Sequence, residues 1–206
     1  MLKGFKLEAT DAMSAVDKLT KVDMVAATSA GDIAESLRQF ATTAQLSGVD
    51  LDQAIAMATT IMDVSQTGAS TVGVALKSIL SRFGNVKAGV FTGLDLDSET
   101  GEVGSESLND LEKVLKKLGI SMRDTNLQFR DFDDVLEDIA SQWSLYDNVT
   151  KNAIATAAAG TRQREAFLVL MENMDKYHSL LETSQNAEGT AEEKYLSYQD
   201  SLQAAQ

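Results

Sequence analysis

Proline is missing from this chain of 206 residues, and so is cysteine. At average usage of roughly 5%, about ten prolines would be expected. Proline breaks helix interiors and central strands, so its absence predicts long helices joined by glycine and polar turns. Without cysteine there is no disulfide scaffold, no thiolate zinc site and no cysteine nucleophile. Histidine occurs once, so a histidine-rich metal site is excluded as well. Basic charge is scarce: 18 Lys and Arg stand against 31 Asp and Glu, a net charge of −13. Nucleic-acid binders show a basic footprint because phosphate contacts come from Lys and Arg. This chain would repel DNA at long range, and no sequence-specific nucleic-acid binding is expected. No apolar run approaches the roughly 20 residues that span a bilayer. The first residues, MLKGFKLEATDAMSAVDKL, lack the continuous apolar core of a signal peptide. No membrane contact is expected.

What is present is helical periodicity. Hydrophobic residues make up 44% and charged residues 24%, ordinary values for a globular protein. A first stripe reads Phe5, Ala9, Ala12, Val16 and Leu19. A second helix, 32–46, places Ile33, Leu37, Phe40 and Ala44 on one face, and Gly48 follows as a left-handed cap. Asp50 and Gln53 form a capping box for a third, which holds Leu51, Ala54, Ala58, Ile61 and Met62 and closes at Gly68. A fourth carries Val72, Leu76, Ile79, Leu80 and Phe83 and ends near Gly84. Glycine and acids then dominate to Ser107, with Val90 and Phe91 able to start a strand. Ser107 is the expected cap of a fifth helix bearing Leu108, Leu111, Leu115 and Leu118, which Gly119 ends. Ile120, Met122, Leu127 and Phe129 alternate around a polar turn, Arg123 to Asn126, and read as a small hairpin. Asp131 caps a sixth helix with Phe132, Val135, Leu136, Ile139 and Trp143 inward. A seventh covers 149–159, an eighth aligns Phe167, Leu170, Met171, Met174, His178 and Leu181, and a ninth begins in GTAEEKYLSYQDSLQAAQ.

The fold class is therefore mainly α: a compact multi-helix domain of about eight or nine helices with one or two small inserted β-hairpins. One domain over 1–206 is expected, with the hairpin and loop insertion around 86–130. No repeat recurs at a fixed period. No heptad is sustained long enough for a single long coiled coil.

Four constellations could hold chemistry. TKNAIATAAAGTRQREAFLVLME, residues 150–172, joins the small side chains Ala157-Ala158-Ala159-Gly160 to Arg162 and Arg164. It lacks the second glycine and the lysine of a phosphate-binding loop. It reads as a tight helical corner: Gly160 turns it, Thr161 caps the next helix, and both arginines reach carboxylates elsewhere, with an anion or partner contact as the alternative. Asp95, Asp97 and Glu99 sit at positions one, three and five of a calcium-type loop, with Glu106 at twelve. Position six is Thr100 instead of glycine. An acidic solvated turn is expected, with weak cation binding as the alternative. His178 lies on an apolar stripe and reads as a core or boundary residue. A Ser-His-Asp triad would need it, and no nucleophile elbow lies near. The pairs Asp133-Asp134 and Glu137-Asp138 read as a solvated face. Asp133 and Glu137 repel at i, i+4 by a few tenths of a kcal/mol. No catalytic, cofactor-binding or metal residue is assigned, no cofactor is expected, and partner-binding residues are left open.

Taken in order, several stretches resemble the core region of phage tail tape measure proteins. They are FATTAQLSGVDLDQAIAMATTIMDVSQ, VGVALKSILSRFGNVKAG, LEKVLKKLGISMRD, FRDFDDVLEDIASQW, NAIATAAAGTRQREAFLVLMENM and GTAEEKYLSYQDSL, and the resemblance covers the chain from about Ala26 to Leu202. The resemblance implies a structural, non-enzymatic part of a long-tailed phage or prophage. Such proteins fill the tail tube during assembly, set tail length and leave ahead of DNA during genome ejection. Implied partners are the tail tube protein, tail assembly chaperones and distal tail proteins, with a homo-oligomer in the virion. The implied location is the tail interior, and the host cytoplasm during assembly. A fully helical ruler of this length would span roughly 310 Å at most, and the long ruler and membrane-spanning segments of such proteins are missing. The chain is therefore expected to be a fragment of a longer protein. Two other readings compete: a stand-alone helical adaptor or scaffold, and a cell-wall hydrolase, for which the reactive inventory is poor.

Overall fold

A computed structural model describes residues 2–84, 109–126 and 128–204. The described residues form nine α-helices: α1 (Ala12–Asp23), α2 (Ala30–Leu46), α3 (Leu51–Ser65), α4 (Ala69–Phe83), α5 (Asp110–Lys117), α6 (Phe132–Gln142), α7 (Asn148–Glu172), α8 (Met174–Gln185) and α9 (Thr190–Ala204). Short 3-10 turns precede α1 and link α6 to α7. One continuous apolar cluster extends from Phe5 through helices α1 to α8, ending at Leu180.

Helix α3 is the axis of this core. Every residue from Ala54 to Met62 is buried, as an all-round hydrophobic helix requires. Its start is the expected capping box: the Asp50 carboxylate accepts from the Gln53 N–H at 2.8 Å, and the Gln53 side chain accepts from the Asp50 N–H at 2.9 Å. α2 ends in a left-handed Gly48 (φ 76°) that lets the Val49 N–H reach the Ala44 carbonyl at 2.9 Å. α2 and α4 cross closely at Gly73, where an added Cβ would lie 2.7 Å from Gln39 Cβ. Phe83, Phe132, Trp143 and Phe167 interlock edge to face and tilted where α4, α6 and α7 meet; Phe83 and Phe132 are 4.6 Å apart.

Several expectations change. α1 is not continuous from Phe5: Lys6 sits at φ 55° and the helix starts only at Ala12. The helical phase therefore restarts, Ala15, Leu19 and Val22 turn inward, and Val16 is exposed. Gly68 does not close α3. Gln66 does so in a left-handed conformation (φ 53°), and Gly68 begins α4. Asn109, not Ser107, caps α5, in a capping box with Glu112. The eighth helix does not run unbroken through Phe167 to Leu181. Asn173 (φ −126°, ψ 36°) separates α7 from α8 and resets the phase, so Met174, Tyr177, Leu180 and Ser184 face inward.

The hairpin at 120–130 is reduced to one isolated antiparallel bridge between Arg123 and Phe129. No strand occurs among the described residues. The ladder has no room to extend, because Ile120 donates to the Leu115 carbonyl at the end of α5 and Asp131 already begins α6. Asp124 closes the turn by accepting from the N–H groups of Asn126 and Gln128 at 2.8 and 2.9 Å. A second hairpin near Val90 and the calcium-like stretch Asp95 to Glu106 lie outside the described residues.

Candidate functional site

The corner at Gly160 is real and breaks α7 in two. Its φ of 74° and ψ of 169° lie in a region essentially restricted to glycine. Ala155, Ala158 and Ala159 are buried before the break; Phe167, Leu170 and Met171 are buried after it. A third arginine, unnoticed in the sequence, occupies the corner. An added Cβ on Gly160 would meet the Arg82 guanidinium at 2.6 Å. The cation lies where the first half of α7 ends, and a helix C-terminus favours positive charge.

Arg162 and Arg164, in contrast, are exposed. Neither makes an ion pair with a described residue. The expectation that they reach carboxylates within the fold is not met among the described residues.

An open groove of about 610 Å³ runs beside the corner, lined by Arg82 of α4, Asp110 and Val114 of α5, and a stripe of α7. The stripe is Val149, Asn152, Ala153, Thr156, Ala157 and Gly160, the spacing of one helix face. α4 contributes Lys77 and Arg82 and no acid, and the last turn of α5 carries Lys116 and Lys117. The groove lining itself holds one cation, Arg82, and one carboxylate, Asp110.

The α6 acids are a solvated face only in part: Asp134 is exposed, while the other three have partners. Asp133 accepts from the Tyr177 hydroxyl at 2.6 Å, Glu137 lies 2.6 Å from His178 Nε2, and Asp138 accepts from Arg130 at 2.6 Å. They tie α6 to α8 and to the turn at 120–130. Burial, then the Asp133 carboxylate, push the Tyr177 phenol far above its ordinary value. His178 takes the boundary place of the two expected, half exposed and beside Glu137, because the break at Asn173 turns it away from the core. Glu172 accepts from Lys151 at 2.7 Å and from the Trp143 indole at 2.9 Å. The Lys151 bond holds its carboxyl below the usual range. Lys151 also sits 5.1 Å from the Trp143 ring centre.

Two buried carboxylates do work that their sequence positions do not announce. Asp17 on α1 accepts from the N–H groups of Gly189 and Ala191 at 3.1 and 2.8 Å, and so caps the distant helix α9. Glu112, 4% exposed, pairs with Arg123 at 2.5 Å while also capping α5. Asp52 joins Lys18 of α1 at 2.6 Å to Ser184 of α8 at 2.5 Å. The only local signal was an acid on the buried side of a helix, as at Asp17. Among the described residues no three His, Asp or Glu side chains converge as a metal site would need. No helix there is long and apolar enough to cross a membrane.

Among the described residues, an all-helical body whose polar groups link helix to helix, beside an open groove, has the form of a structural protein. Comparison with known families agrees on a structural role. The model for phage-related minor tail proteins matches residues 1–160. The chain belongs to that family, which makes it a structural component of a phage tail and places it in the virion. No solved structure matches the chain.

Proposed function

We propose that the chain is the core segment of a tape measure protein and takes part in tail assembly, tail length determination and genome ejection. The observation that carries this reading is the family match over residues 1–160, combined with the ordered series of stretches between Phe40 and Leu202 that resemble the tape measure core. In this reading it acts without catalysis and without a cofactor. Its partners are the tail tube protein, the tail assembly chaperones and the distal tail proteins. Several copies associate in the tail interior after assembly in the host cytoplasm. The helical body and its cross-helix polar ties support a packing role over a chemical one, since each titratable cluster described above ends in a structural contact.

The test is an immunoblot with antiserum against this segment on purified particles after prophage induction. A band well above 22.2 kDa in the tail fraction is the expected result. A 22.2 kDa band confined to the soluble lysate would refute it and favour a stand-alone helical adaptor.

A further inference from the structure

Helix α9 meets the body mainly through α1. Its first turn is pinned by the Asp17 cap, and Lys194 reaches Asp23 of α1 at 3.0 Å. From Glu192 to Gln199 every residue is exposed. Tyr195, Leu196 and Tyr198 are 60%, 51% and 63% exposed. A helix of this length is marginal in water without a packing surface. Glu192 and Glu193 head it, and Glu188 lies just before it, also exposed. α9 therefore lies beside α1 and carries acidic and aromatic side chains that are largely exposed.

The groove beside Gly160 has Arg82 and Asp110 in its lining, and Lys113 and Lys117 share the α5 face that forms one wall. Its floor is the α7 stripe from Val149 to Gly160, made of small and medium side chains that allow a helix to approach closely. Val149 there is 78% exposed. Arg82 stands on one wall. On the other wall, Asp110 and Val114 share a helix face with Lys113 and Lys117 at i, i+3, i+4 and i+7 spacing. Arg82, Lys113 and Lys117 make no ion pair with a described residue.

We propose that the groove between α4, α5 and α7 receives α9 of a second copy of this chain, so that copies join head to tail. Tyr195, Leu196 and Tyr198 lie over the α7 stripe. Glu192 and Glu193 face Arg82 and Lys113. Groove and helix are different surfaces of one chain, so the contact is heterologous and adds copies in a ring or a row instead of stopping at a dimer. This deepens the proposed tail role by naming the surfaces through which copies meet, and rests on that role only for the presence of several copies.

The test is sedimentation velocity on the purified chain over a range of concentrations. Mass should grow beyond two copies, and it should fall as salt rises, because exposed charge pairs are screened within about 10 Å at 0.1 M salt. Arg82→Glu with Lys113→Glu should leave a monomer, and so should Glu192→Lys with Glu193→Lys, each with unchanged circular dichroism. Mixing these two monomers brings together an intact groove with an intact α9 and a reversed groove with a reversed α9, and should restore assemblies that grow beyond two copies. A chain carrying all four changes should associate again. Monomer at every concentration would overturn the proposal, whether the groove is empty or filled by the chain's own residues. Association that survives the groove changes but not the α9 changes would overturn it in favour of α9 pairing with itself. Association untouched by either pair would overturn it too. None of these outcomes affects the immunoblot, so the two readings fail separately.

Discussion

Gly160→Ala should destabilise the protein through its backbone and not through crowding, and the two causes can be separated. At φ 74° and ψ 169° an L-residue is strained wherever it sits, at about 1–3 kcal/mol. The nearest atoms to an added methyl are Arg82 Nη2, Cζ and Nε, at 2.6, 3.0 and 3.3 Å. These belong to the far end of an exposed, flexible side chain that can swing aside. Crowding is then relieved at little cost, and the strain stays. For a chain of this size, about 2 kcal/mol lowers the thermal midpoint by roughly 4–8 °C. Gly160→Leu should lose little more than Gly160→Ala, because the extra atoms enter the open groove. Arg82→Ala alone should change stability by less than about 0.5 kcal/mol, as exposed substitutions do. The double-mutant cycle between positions 82 and 160 should therefore show almost no coupling. The assay is thermal unfolding by circular dichroism of the four chains. If Arg82→Ala recovers more than half of the loss caused by Gly160→Ala, the corner is a steric joint and the backbone argument is wrong. An unchanged midpoint in Gly160→Ala would sink both accounts.

Tyr177→Phe tests the buried phenol. Its folded pKa is raised above the ordinary 10.0, so its contribution is complete below pH 10 and is lost as pH rises beyond it. Stability of the parent should fall above that pH by up to about 1.4 kcal/mol per unit more than in the variant; identical alkaline slopes in urea unfolding would refute this. Glu112→Ala leaves Arg123 with its buried carboxylate removed and takes away the α5 cap, so a loss of about 3–5 kcal/mol is expected in urea unfolding. Asp17→Ala should release α9, seen as faster amide exchange at Gly189 and Ala191 with the core amides unchanged; equal protection in both proteins would show that the carboxylate is dispensable.

Helix existence was legible because periodicity is local. α2, α3 and α4 bury the residues that their stripes indicate, and the Asp50–Gln53 box is in place. The errors arose where a single residue restarts the helical phase. Lys6 does so before α1 and rotates Val16 outward. Asn173 does so before α8 and exchanges His178 for Tyr177 on the inner face. Both are ordinary polar residues whose unusual dihedrals come from tertiary packing and leave no compositional mark. The site was half legible. The small run up to Gly160 announced a corner, and the glycine was rightly placed at the turn. Its partner Arg82 lies far away in the chain, so no spacing rule could join them. The α6 acids misled for the same reason: Tyr177, His178 and Arg130 come from other elements, and a row of carboxylates read by itself looks solvated.

The family match ends at residue 160, at the corner itself, yet the core does not end there. Phe167, Leu170, Met171, Met174, Tyr177 and Leu180 are buried and belong to the same cluster as α3 and α4. Fully burying one such side chain stabilises by roughly 1.5–3 kcal/mol. Six of them together rival the whole net stability of about 5–15 kcal/mol typical of a folded protein. Deleting residues 161–206 would also strip Ser184 and Lys176 from Asp52 and Asp63, and the α9 amides from Asp17. Residues 1–160 in isolation should therefore expose the α3 face, bind a hydrophobic dye and melt without cooperativity. A sharp, reversible transition in that truncated chain would show that the two halves of α7 belong to separate folding units. If the expected loss is seen, the helices after Gly160 complete the body formed by the matched residues. In that case the left-handed glycine is the hinge point at which the chain turns back to close its own core.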